Sequence, residues 1–384
     1  KFTETKLMNI LYFYPENPTV LNQGNNARAF ALLQYFKSKN HKIDYVGIAS
    51  KSFSEVDLES IKKADLIENG FLLREDKPIS KTLSYLFTYA IPNKLKGRIR
   101  DFDRTRFGHK EQFSKILKDN QYDYIIISYA YWAELIRENK YLKNAKLIID
   151  THDFLTSQFQ NQKRFNLGKY FNKEIELLNL FQKVWVISSD ENYVFSQFVS
   201  SEVITIPHAL QAKFQLNSAK KYDLVYVASS NEHNVKSVKW FFEEVYPKLN
   251  HNLSICVVGK INDHIPELPN VTKMHFVEDL NRVYSESRVA ICPMLSGSGL
   301  KIKVVEALSF GLPVVCNPRG IDGLINKTNN GCLVTEDATT FSKYIEQLLT
   351  DKSFYQQQQT LSENFFVNYL SVESVYLELD KVFK

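Results

Sequence analysis

The chain of 384 residues contains little cysteine, glycine or proline. Its four cysteines all lie in the C-terminal half, and no two are spaced as Cys-x-x-Cys, which argues against a zinc site, a dithiol redox site or a disulfide framework. With 13 glycines and 11 prolines, the composition is far from that of collagen-like or linker-like chains. We therefore expect reduced thiols in a globular protein, and the length favours two domains.

Long apolar runs and a strong excess of one charge are missing as well. No segment approaches the length of about 18 apolar residues that a membrane-spanning helix needs, and the first residues, KFTETKL, are too polar for the apolar core of a signal peptide. The 48 basic and 43 acidic side chains nearly balance, so the formal charge of +5 does not by itself indicate a nucleic-acid partner. We predict a cytoplasmic protein, and this composition is compatible with a peripheral position on the inner face of the membrane.

The sequence does contain short apolar runs that alternate with helical patterns. In the N-terminal half, residues 8–14 predict a strand, residues 26–39 carry apolar side chains at helical spacing, and residues 41–48 predict the next strand. A parallel strand that crossover helices cover on both faces is apolar along its whole length, so this pattern predicts an α/β domain. Similar runs follow at residues 124–128, 146–150, 184–188 and 203–206.

A polar stretch without periodicity, residues 207–221, predicts a linker to a second α/β series. We expect two doubly wound, Rossmann-like domains, residues 1–207 and 208–366, with the carboxyl ends of their strands facing a central cleft. A C-terminal helix within residues 367–384 is expected to pack back on the first domain. The second series predicts strands at residues 224–228, 254–259, 272–276, 289–294, 313–317 and, at the edge, 331–335, and helices at 235–249, 280–287, 301–310 and 338–349.

The most informative segment is residues 293–324, PMLSGSGLKIKVVEALSFGLPVVCNPRGIDGL. It predicts a strand, a loop with two glycines, and then a helix. Glycines let backbone N–H groups approach a ligand, and a helix N-terminus adds partial positive charge, so this geometry suits an anion such as a diphosphate. Two lysines add formal charge, and a glutamate in the helix can accept hydrogen bonds from ribose hydroxyls. The residues that carry this chemistry are Gly297, Ser298, Gly299, Leu300, Lys301, Lys303 and Glu306.

A plainer interpretation makes the loop a simple turn and the charges a solvated helix face. In order and spacing, however, the segment resembles the donor-site signature of glycosyltransferase group 1, the retaining GT-B enzymes often called family 4. Members are similar to P-x-x-x-G-x-G-x-(K/R)-x-K-x-x-E-A-x-x-x-G-x-P-V-V, with a later G-x-x-G-L. The matching residues are Pro293, Gly297, Gly299, Lys301, Lys303, Glu306, Ala307, Gly311, Pro313, Val314, Val315, Gly320, Gly323 and Leu324.

This resemblance implies a GT-B fold in which the N-terminal domain binds the acceptor and the C-terminal domain binds a nucleoside-diphosphate-sugar. Weaker similarity along the rest of the chain implies further donor-binding positions in loops that follow strands. These are Gly24 and Arg28 in the first loop of the N-terminal domain, Ser229 and Asn234 after the first strand of the C-terminal domain, and Val277 beside the nucleotide base.

His152 lies in the T-H-D sequence of residues 151–153, directly after a predicted strand. A lone histidine in such a place is more often a structural hydrogen-bonding residue than a catalytic one. The resemblance implies a position beside the donor sugar, so we predict that His152 positions the substrate and, with Lys301 and Glu306, forms the catalytic set. Asp153 either orients His152 or contacts the acceptor.

One position departs from the family's pattern. Members often carry a second carboxylate ahead of the ribose glutamate, at the place where this chain has Ser298. The contact to a donor-sugar hydroxyl that this carboxylate implies does not carry over, so the identity of the sugar is not predicted from it.

The sequence Asp101-Phe102-Asp103 spells D-x-D, a motif that binds the metal of a nucleotide diphosphate in the other large glycosyltransferase fold. Here it lies among basic residues with no strand pattern before it, and we interpret it as incidental. We predict no metal and no other cofactor, because lysines, a helix dipole and backbone amides can neutralise the leaving diphosphate.

Residues 93–110 hold seven Lys or Arg against two Asp, with four large apolar side chains between them. This run is either a solvated face or a surface that docks on anionic lipid headgroups. Nucleic-acid binding is not predicted, because no aromatic RNA-binding strand accompanies the charge.

We predict that the protein transfers a sugar, with retention, from a nucleoside-diphosphate-sugar to a glycan or lipid-linked acceptor in bacterial surface polysaccharide or lipopolysaccharide synthesis. Two alternatives stay open, a nucleotide-sugar 2-epimerase of GT-B fold and a non-catalytic nucleotide- or glycan-binding module. A nicotinamide dehydrogenase is disfavoured, because no G-x-G-x-x-G follows the first strand.

Overall fold

The computed structural model describes residues 7–20, 24–76, 83, 85–91, 100–214, 219–297 and 299–383. The chain divides into two compact units, one containing Lys1–Ile187 and Glu191–Thr205 and the other containing Ser188–Asp190 and Ile206–Phe383. The packing of residues 367–384 on the first domain stays a prediction.

The first unit is built on a parallel sheet that is buried on both faces. Its strands, within the part of the chain that the structure describes, are β1 (Asn9–Phe13), β2 (Lys42–Ile48), β3 (Asn69–Leu73), β4 (Tyr124–Ser128), β5 (Lys146–Asp150), β6 (Lys183–Val186) and β7 (Glu202–Thr205). They are arranged in the order β3-β2-β1-β4-β5-β6-β7. Every residue of β4 is buried, as its continuous apolar sequence predicts.

Helices connect these strands. Asn166 caps one of them by accepting a hydrogen bond from the backbone N–H of Lys169 at 3.0 Å. The α-helices are α1 (Gly24–Ser38), α2 (Glu55–Lys63), α3 (His109–Asp119), α4 (Leu155–Gln158), α5 (Leu167–Leu178) and α6 (Ser189–Phe198). Shorter turns are a π-helix at Tyr85–Ala90 and 3₁₀ helices at Arg100–Phe102 and Ala130–Leu135.

The second unit repeats this plan with shorter strands. They are β8 (Tyr222–Val227), β9 (Ile255–Val258), β10 (Val271–Met274), β11 (Ser287–Cys292), β12 (Val314–Cys316) and β13 (Cys332–Val334), all parallel and in the order β10-β9-β8-β11-β12-β13. In both sheets the strand order reverses direction beside the first strand of the unit, which is the Rossmann-like arrangement that places ligands at the carboxyl edge.

Two apolar clusters cover the faces of the second sheet. Alternate residues of β8 point to opposite faces, so Val225 joins one cluster and Leu224 and Tyr226 join the other. The α-helices are α7 (Glu232–Trp240), α8 (Leu280–Ser285), α9 (Ile302–Ser309), α10 (Ala338–Thr350), α11 (Lys352–Tyr369) and α12 (Val372–Val382). A π-helix at Phe241–Val245 and 3₁₀ helices at Tyr246–Lys248, Lys260–His264 and Pro318–Ile321 complete the described helical segments.

The predicted α/β class and the two parallel sheets are confirmed. Strand β3 was not predicted, because its Asn69-Gly70 start is typical of a turn and only three apolar residues follow. None of the helices formed by the described residues is long and apolar enough to cross a membrane.

Candidate functional site

The loop between β11 and α9 contains two glycines in left-handed backbone conformations. Gly297 has a φ of +92° and Gly299 a φ of +77°. A side chain at 297 would also approach the ring of His233 to 3.3 Å, whereas among the described residues nothing lies within 4 Å of a side chain at 299. At 299, therefore, only the backbone conformation favours glycine. The predicted neighbour Ser298 lies outside the described residues, and Leu300 packs partly buried against the core.

Lys301 lies directly before α9 and is 7% exposed. Its ammonium group donates hydrogen bonds to the carbonyl oxygens of Gly299 at 2.6 Å and of Gly297 at 3.4 Å. Burial lowers the pKa of Lys301. The backbone N–H groups of Val304 and Val305 donate to the carbonyl oxygen of Lys301 at 2.8 and 3.3 Å, so the charge of Lys301 lies at the positive end of the dipole of α9.

Lys303, in the first turn of α9, is linked to two other predicted residues. Its ammonium donates to Oδ1 of Asn234 at 2.8 Å, and Nδ2 of Asn234 donates to the carbonyl oxygen of Ser229 at 3.0 Å. The ammonium also lies 5.1 Å from the ring centre of Tyr226, within the range of a cation–π contact. Burial lowers the pKa of Lys303. The structure therefore brings Ser229, Asn234 and Lys303 together.

Glu306 lies one turn further along α9 and is held by Tyr284. The tyrosine hydroxyl donates to Oε2 of Glu306 at 3.0 Å, and its ring stacks on Phe310 at a centroid distance of 5.4 Å. Burial raises the pKa of Glu306, while the Tyr284 hydrogen bond acts in the opposite direction. Val277 packs against the same apolar cluster as Tyr284.

In the first unit, Asp150 at the end of β5 connects two predicted residues. It is completely buried and accepts hydrogen bonds from Nε of Arg28 at 3.0 and 3.1 Å and from Nη2 at 2.6 Å. Nε2 of His152 lies 3.0 Å from Oδ2 of Asp150 but is not aligned for a hydrogen bond, and it has no such partner among the described residues. Burial would raise the pKa of Asp150, but the positive charge and the hydrogen bonds of Arg28, together with the neighbouring His152, outweigh it and hold this pKa below its ordinary value.

Aromatic rings fix the orientation of His152. Its ring stacks on Tyr129 at a centroid distance of 4.3 Å and faces Tyr14 at 5.7 Å. His152 and Tyr129 both have left-handed backbone conformations, with φ values of +60° and +65°. Such conformations cost about 1–3 kcal/mol in a residue other than glycine and occur most often at functional sites. Arg28 reaches this place from the second turn of α1, the helix that Gly24 begins.

Asp153, next to His152, is partly buried. Burial raises the pKa of its carboxyl group, and the nearby His152 acts in the opposite direction. Its role, either orienting His152 or contacting the acceptor, stays a prediction.

The D-x-D sequence takes part in local structure. Asp101 accepts a hydrogen bond from the hydroxyl of Tyr170 at 2.6 Å, and Asp103 accepts one from the backbone N–H of Thr105 at 2.9 Å. Within the described ranges, no group of three or more His, Cys, Asp or Glu side chains is placed to hold a metal ion. That the reaction needs no metal stays a prediction.

Part of the basic run, residues 93–99, lies outside the described residues. Two of the remaining basic side chains are used within the first unit. The guanidinium of Arg104 lies 3.8 Å from the ring centre of Tyr131, and the ammonium of Lys110 lies 3.0 Å from Oε2 of the buried Glu134. Docking on anionic lipid therefore stays a prediction.

Sequence reasoning assigned no role to Asp150, Tyr226 or Tyr284. The sequence could have indicated a role for Asp150, because a charged residue that ends an apolar strand lies at the carboxyl edge of the sheet. No sequence pattern indicates a role for the two tyrosines, since their contacts to Lys303 and Glu306 join segments that are remote in sequence.

Residues 221–351, which contain this glycine loop and helix α9, match the family model of the glycosyl transferases group 1. Among curated proteins, an uncharacterised 44.6 kDa protein in the cps region of Klebsiella pneumoniae is 19% identical, and the match covers 85% of this chain and 87% of that protein.

Solved structures show the same fold over nearly the whole chain. Sucrose-phosphate synthase from Thermosynechococcus elongatus is similar with a TM-score of 0.68 at 13% identity, covering 98% of each chain. An S. aureus TarM mutant in complex with fondaparinux, α-GlcNAc-glycerol and UDP has a TM-score of 0.67 at 13% identity, covering 98% of this chain and 100% of TarM. Anabaena HepE in complex with UDP-glucose has a TM-score of 0.64 at 13% identity, covering 98% of this chain and 99% of HepE. The family match covers residues 221–351, and the solved structures show that the chain has the GT-B fold.

Proposed function

We propose that this protein transfers a sugar from a nucleoside-diphosphate-sugar to a hydroxyl group of a glycan or lipid-linked acceptor, with retention of the anomeric configuration. The observation that carries the proposal is the arrangement around residues 297–306, where two left-handed glycines, two buried ammonium groups and a tyrosine-held carboxylate follow one another at a helix N-terminus.

The diphosphate is assigned to the loop and the start of α9. The N-terminal dipole of α9 and the ammonium groups of Lys301 and Lys303 supply the positive potential that a leaving diphosphate requires. Both ammonium groups already bind protein oxygens, so their positions are fixed before a ligand arrives. Such preorganised charges stabilise a developing anion without reorganisation during the reaction.

The ribose is assigned to Glu306. A carboxylate accepts hydrogen bonds from two adjacent hydroxyls, and the Tyr284 hydroxyl keeps this one in place from its protein side. Val277 is assigned to the edge of the base.

The first unit is assigned to the acceptor, with His152 beside the transferred sugar. Its Nε2 lies 3.0 Å from Oδ2 of Asp150, so the carboxylate and the stacked tyrosine rings fix the orientation of the imidazole. In the transfer step, the bond between the anomeric carbon and the diphosphate oxygen breaks and the bond to the acceptor oxygen forms on the same face. The acceptor proton goes to an oxygen of the leaving diphosphate.

The biological role that we propose is the synthesis of a bacterial surface polysaccharide or lipopolysaccharide on the cytoplasmic side of the membrane. A relative of this chain is a protein of the cps region of K. pneumoniae, and HepE and TarM have been crystallised with UDP-glucose or UDP. UDP-sugars are therefore the first donors to test, and residues 93–110 are the proposed contact with anionic lipid.

The test begins with thermal shift in the presence of UDP, GDP, ADP, CMP and their sugars, since a ligand of the folded state raises its stability. The donor that stabilises the protein is then incubated with and without membrane extract, and the products are followed by NMR. Transfer to an acceptor supports the proposal. Conversion of the donor alone indicates an epimerase, and binding without turnover indicates a binding module.

Glu306→Ala tests the site itself. Loss of hydrogen bonds to a charged acceptor costs about 1.5–3 kcal/mol, so we expect roughly 10- to 100-fold weaker nucleotide binding and lower turnover. Glu346→Ala, at an exposed glutamate of the same unit, is the control. Unchanged donor kinetics in Glu306→Ala would show that the site assignment is wrong.

A further inference from the structure

Glu174, in α5, is a buried carboxyl group of the first unit. It is 1% exposed. Its Oε1 accepts a hydrogen bond from the backbone N–H of Leu155 at 2.8 Å, and its Oε2 accepts bonds from the backbone N–H of Thr156 at 2.8 Å and from the Thr156 hydroxyl at 2.6 Å. The N-cap residue of α4, Phe154, has an apolar side chain that cannot cap the helix. One carboxylate from α5 therefore holds the first turn of α4.

Helix α4 carries Gln158, which contacts two residues next to His152. The amide of Gln158 donates to the carboxylate of Asp153, and the hydroxyl of Tyr131 donates to Oε1 of Gln158 at 3.3 Å. Tyr131 stacks on Tyr129 at a centroid distance of 5.5 Å, and Tyr129 stacks on His152. The left-handed backbone of His152 persists only where the surrounding structure holds it. The position of α4 therefore bears on Asp153 directly and on His152 through two tyrosine rings.

We propose that Glu174 is a positioning residue for the transfer reaction, because its hold on α4 keeps Asp153 and His152 in their working arrangement. It acts through α4 and not by contact with a substrate. The inference rests on the proposed function, which assigns the first unit to the acceptor and places His152 beside the transferred sugar.

The protonation of Glu174 gives this role a measurable signature. Burial raises the pKa of Glu174 to about 7, while the hydrogen bonds from Thr156 and Leu155 act in the opposite direction and the carboxylate of Asp153 raises it further. An ionised carboxylate only accepts hydrogen bonds, whereas a protonated one carries an O–H donor. The protonated group cannot accept all three bonds from α4, so its hold on the helix is weaker.

Other titratable side chains nearby have partners of their own. They lie on α5 and on the 3₁₀ helix Ala130–Leu135, which packs against it. They are Tyr131 with Gln158, Glu134 with Lys110 and Arg137, Tyr170 with Asp101, and Lys173 with Glu176. Asp153 is therefore the main charged neighbour of Glu174.

The experiment compares the turnover of wild type and Glu174→Gln at pH 6 and pH 8. The probes are the glucose, galactose, mannose and N-acetylglucosamine conjugates of UDP, GDP and ADP, with membrane extract as the source of acceptor. We expect wild type to be faster by about tenfold at pH 8, falling to about twofold at pH 6, because the carboxylate is ionised at pH 8 and mostly protonated at pH 6. His152 is present in both proteins, so its own titration does not affect this ratio.

Two measurements separate positioning from a general loss of structure. Affinity for UDP, GDP or ADP by calorimetry should agree within about twofold in the two proteins, since the nucleotide is assigned to the second unit. Glu176→Gln, at a carboxylate of the same helix whose side chain is 49% exposed, is the matched control and should leave the turnover unchanged within about twofold.

Stability and turnover should respond to pH with opposite signs. The folded state holds the proton of Glu174 more tightly than the unfolded state, so the unfolding free energy of the wild type falls as the pH rises from the ordinary value of about 4.3 towards 7. Turnover relative to Glu174→Gln should instead rise as the pH passes through 7. A purely structural role predicts that turnover follows stability.

Hydrogen exchange, which needs no substrate, tests the hold on α4 itself. At pH 8 the backbone amides of Leu155 and Thr156 should exchange about tenfold faster in Glu174→Gln than in the wild type, as followed by NMR. Thr156→Val removes only the hydroxyl bond and provides a second variant if Glu174→Gln does not fold. Because this bond lowers the pKa of Glu174, its loss should move the fall in turnover to higher pH.

A turnover ratio near one at pH 8, or the same ratio at both pH values, overturns the inference while the donor site stands. Equal weakening of nucleotide binding and turnover also overturns it, because the residue is then only structural. A wild type that turns over none of these conjugates overturns the proposed function and the catalytic part of the inference, and hydrogen exchange still decides whether Glu174 holds α4.

Discussion

Substitution of Asp150 by Asn tests whether the buried pair with Arg28 stabilises the first unit. Asn has the shape of Asp but no charge, and the change leaves a guanidinium that is 4% exposed without its carboxylate. Breaking a buried ion pair in this way costs about 3–5 kcal/mol, which is a large part of a typical unfolding free energy of about 5–15 kcal/mol. We therefore expect strong destabilisation from a change of one atom type.

The assay is urea unfolding followed by the fluorescence of Trp132 and Trp185, which are both buried in the first unit. The midpoint should fall while the slope with urea stays constant. Adding Arg28→Met removes the uncompensated charge, so the double variant should recover most of the lost stability. A loss below about 1 kcal/mol in Asp150→Asn, or simple additivity in the double variant, would refute the reasoning.

The same pair predicts a pH dependence with a definite sign. Because the folded-state pKa of Asp150 is held below its ordinary value of about 3.9, the native state binds fewer protons than the unfolded state in this range. The stabilisation that the Asp150 charge gives the folded state is thus complete above the ordinary pKa, and it is lost as the pH falls from the ordinary pKa towards the folded-state pKa. The stability difference between wild type and Asp150→Asn should narrow below about pH 4.

Substitutions at Tyr284, Asn234 and Gly259 test further contacts of the described residues. Tyr284→Phe removes the hydroxyl that holds Glu306 and should weaken nucleotide binding about 2- to 10-fold by calorimetry, with no effect if Glu306 does not contact the ligand. Asn234→Ala removes the acceptor of the Lys303 ammonium and should weaken nucleotide binding by a similar factor. Asn234→Asp keeps an acceptor for this ammonium and should retain more of the nucleotide affinity. Equal losses of affinity in the two variants would contradict the role of Oδ1. Gly259→Ala would place a Cβ 2.1 Å from the carbonyl oxygen of Ala228 at a φ of +111°, and thermal melts should show an unfolding free energy lower by at least about 2 kcal/mol. Gly168 lies in a helix without a close contact, so Gly168→Ala should raise the unfolding free energy by about 0.5–1 kcal/mol in the same melts.

Much of the fold could be predicted, because buried parallel strands carry continuous apolar sequence. The predicted strands at residues 124–128 and 146–150 coincide with β4 and β5. The helix predicted at residues 235–249 is instead an α-helix that passes into a π-helix and a 3₁₀ turn, a change in hydrogen bonding that apolar spacing does not report.

The candidate site was predictable where its chemistry is local in sequence. Glycine loop, lysines and glutamate lie within residues 297–306, so their spacing could be interpreted directly. The partners that hold these groups could not be predicted, because they come from remote segments. Arg28 and Asp150 are 122 positions apart, and no periodicity connects them.

The hydrogen bond between Asn234 and Lys303 has a consequence for the evolution of this chain. One side-chain amide joins the segment after β8 to helix α9, although the two residues are 69 positions apart. Replacement of the lysine alone would leave a buried carbonyl oxygen unpaired, and replacement of the asparagine alone would leave an ammonium without its acceptor. In related chains, substitutions at these two positions should therefore covary, and recombination between the two segments should be tolerated only when both partners are exchanged.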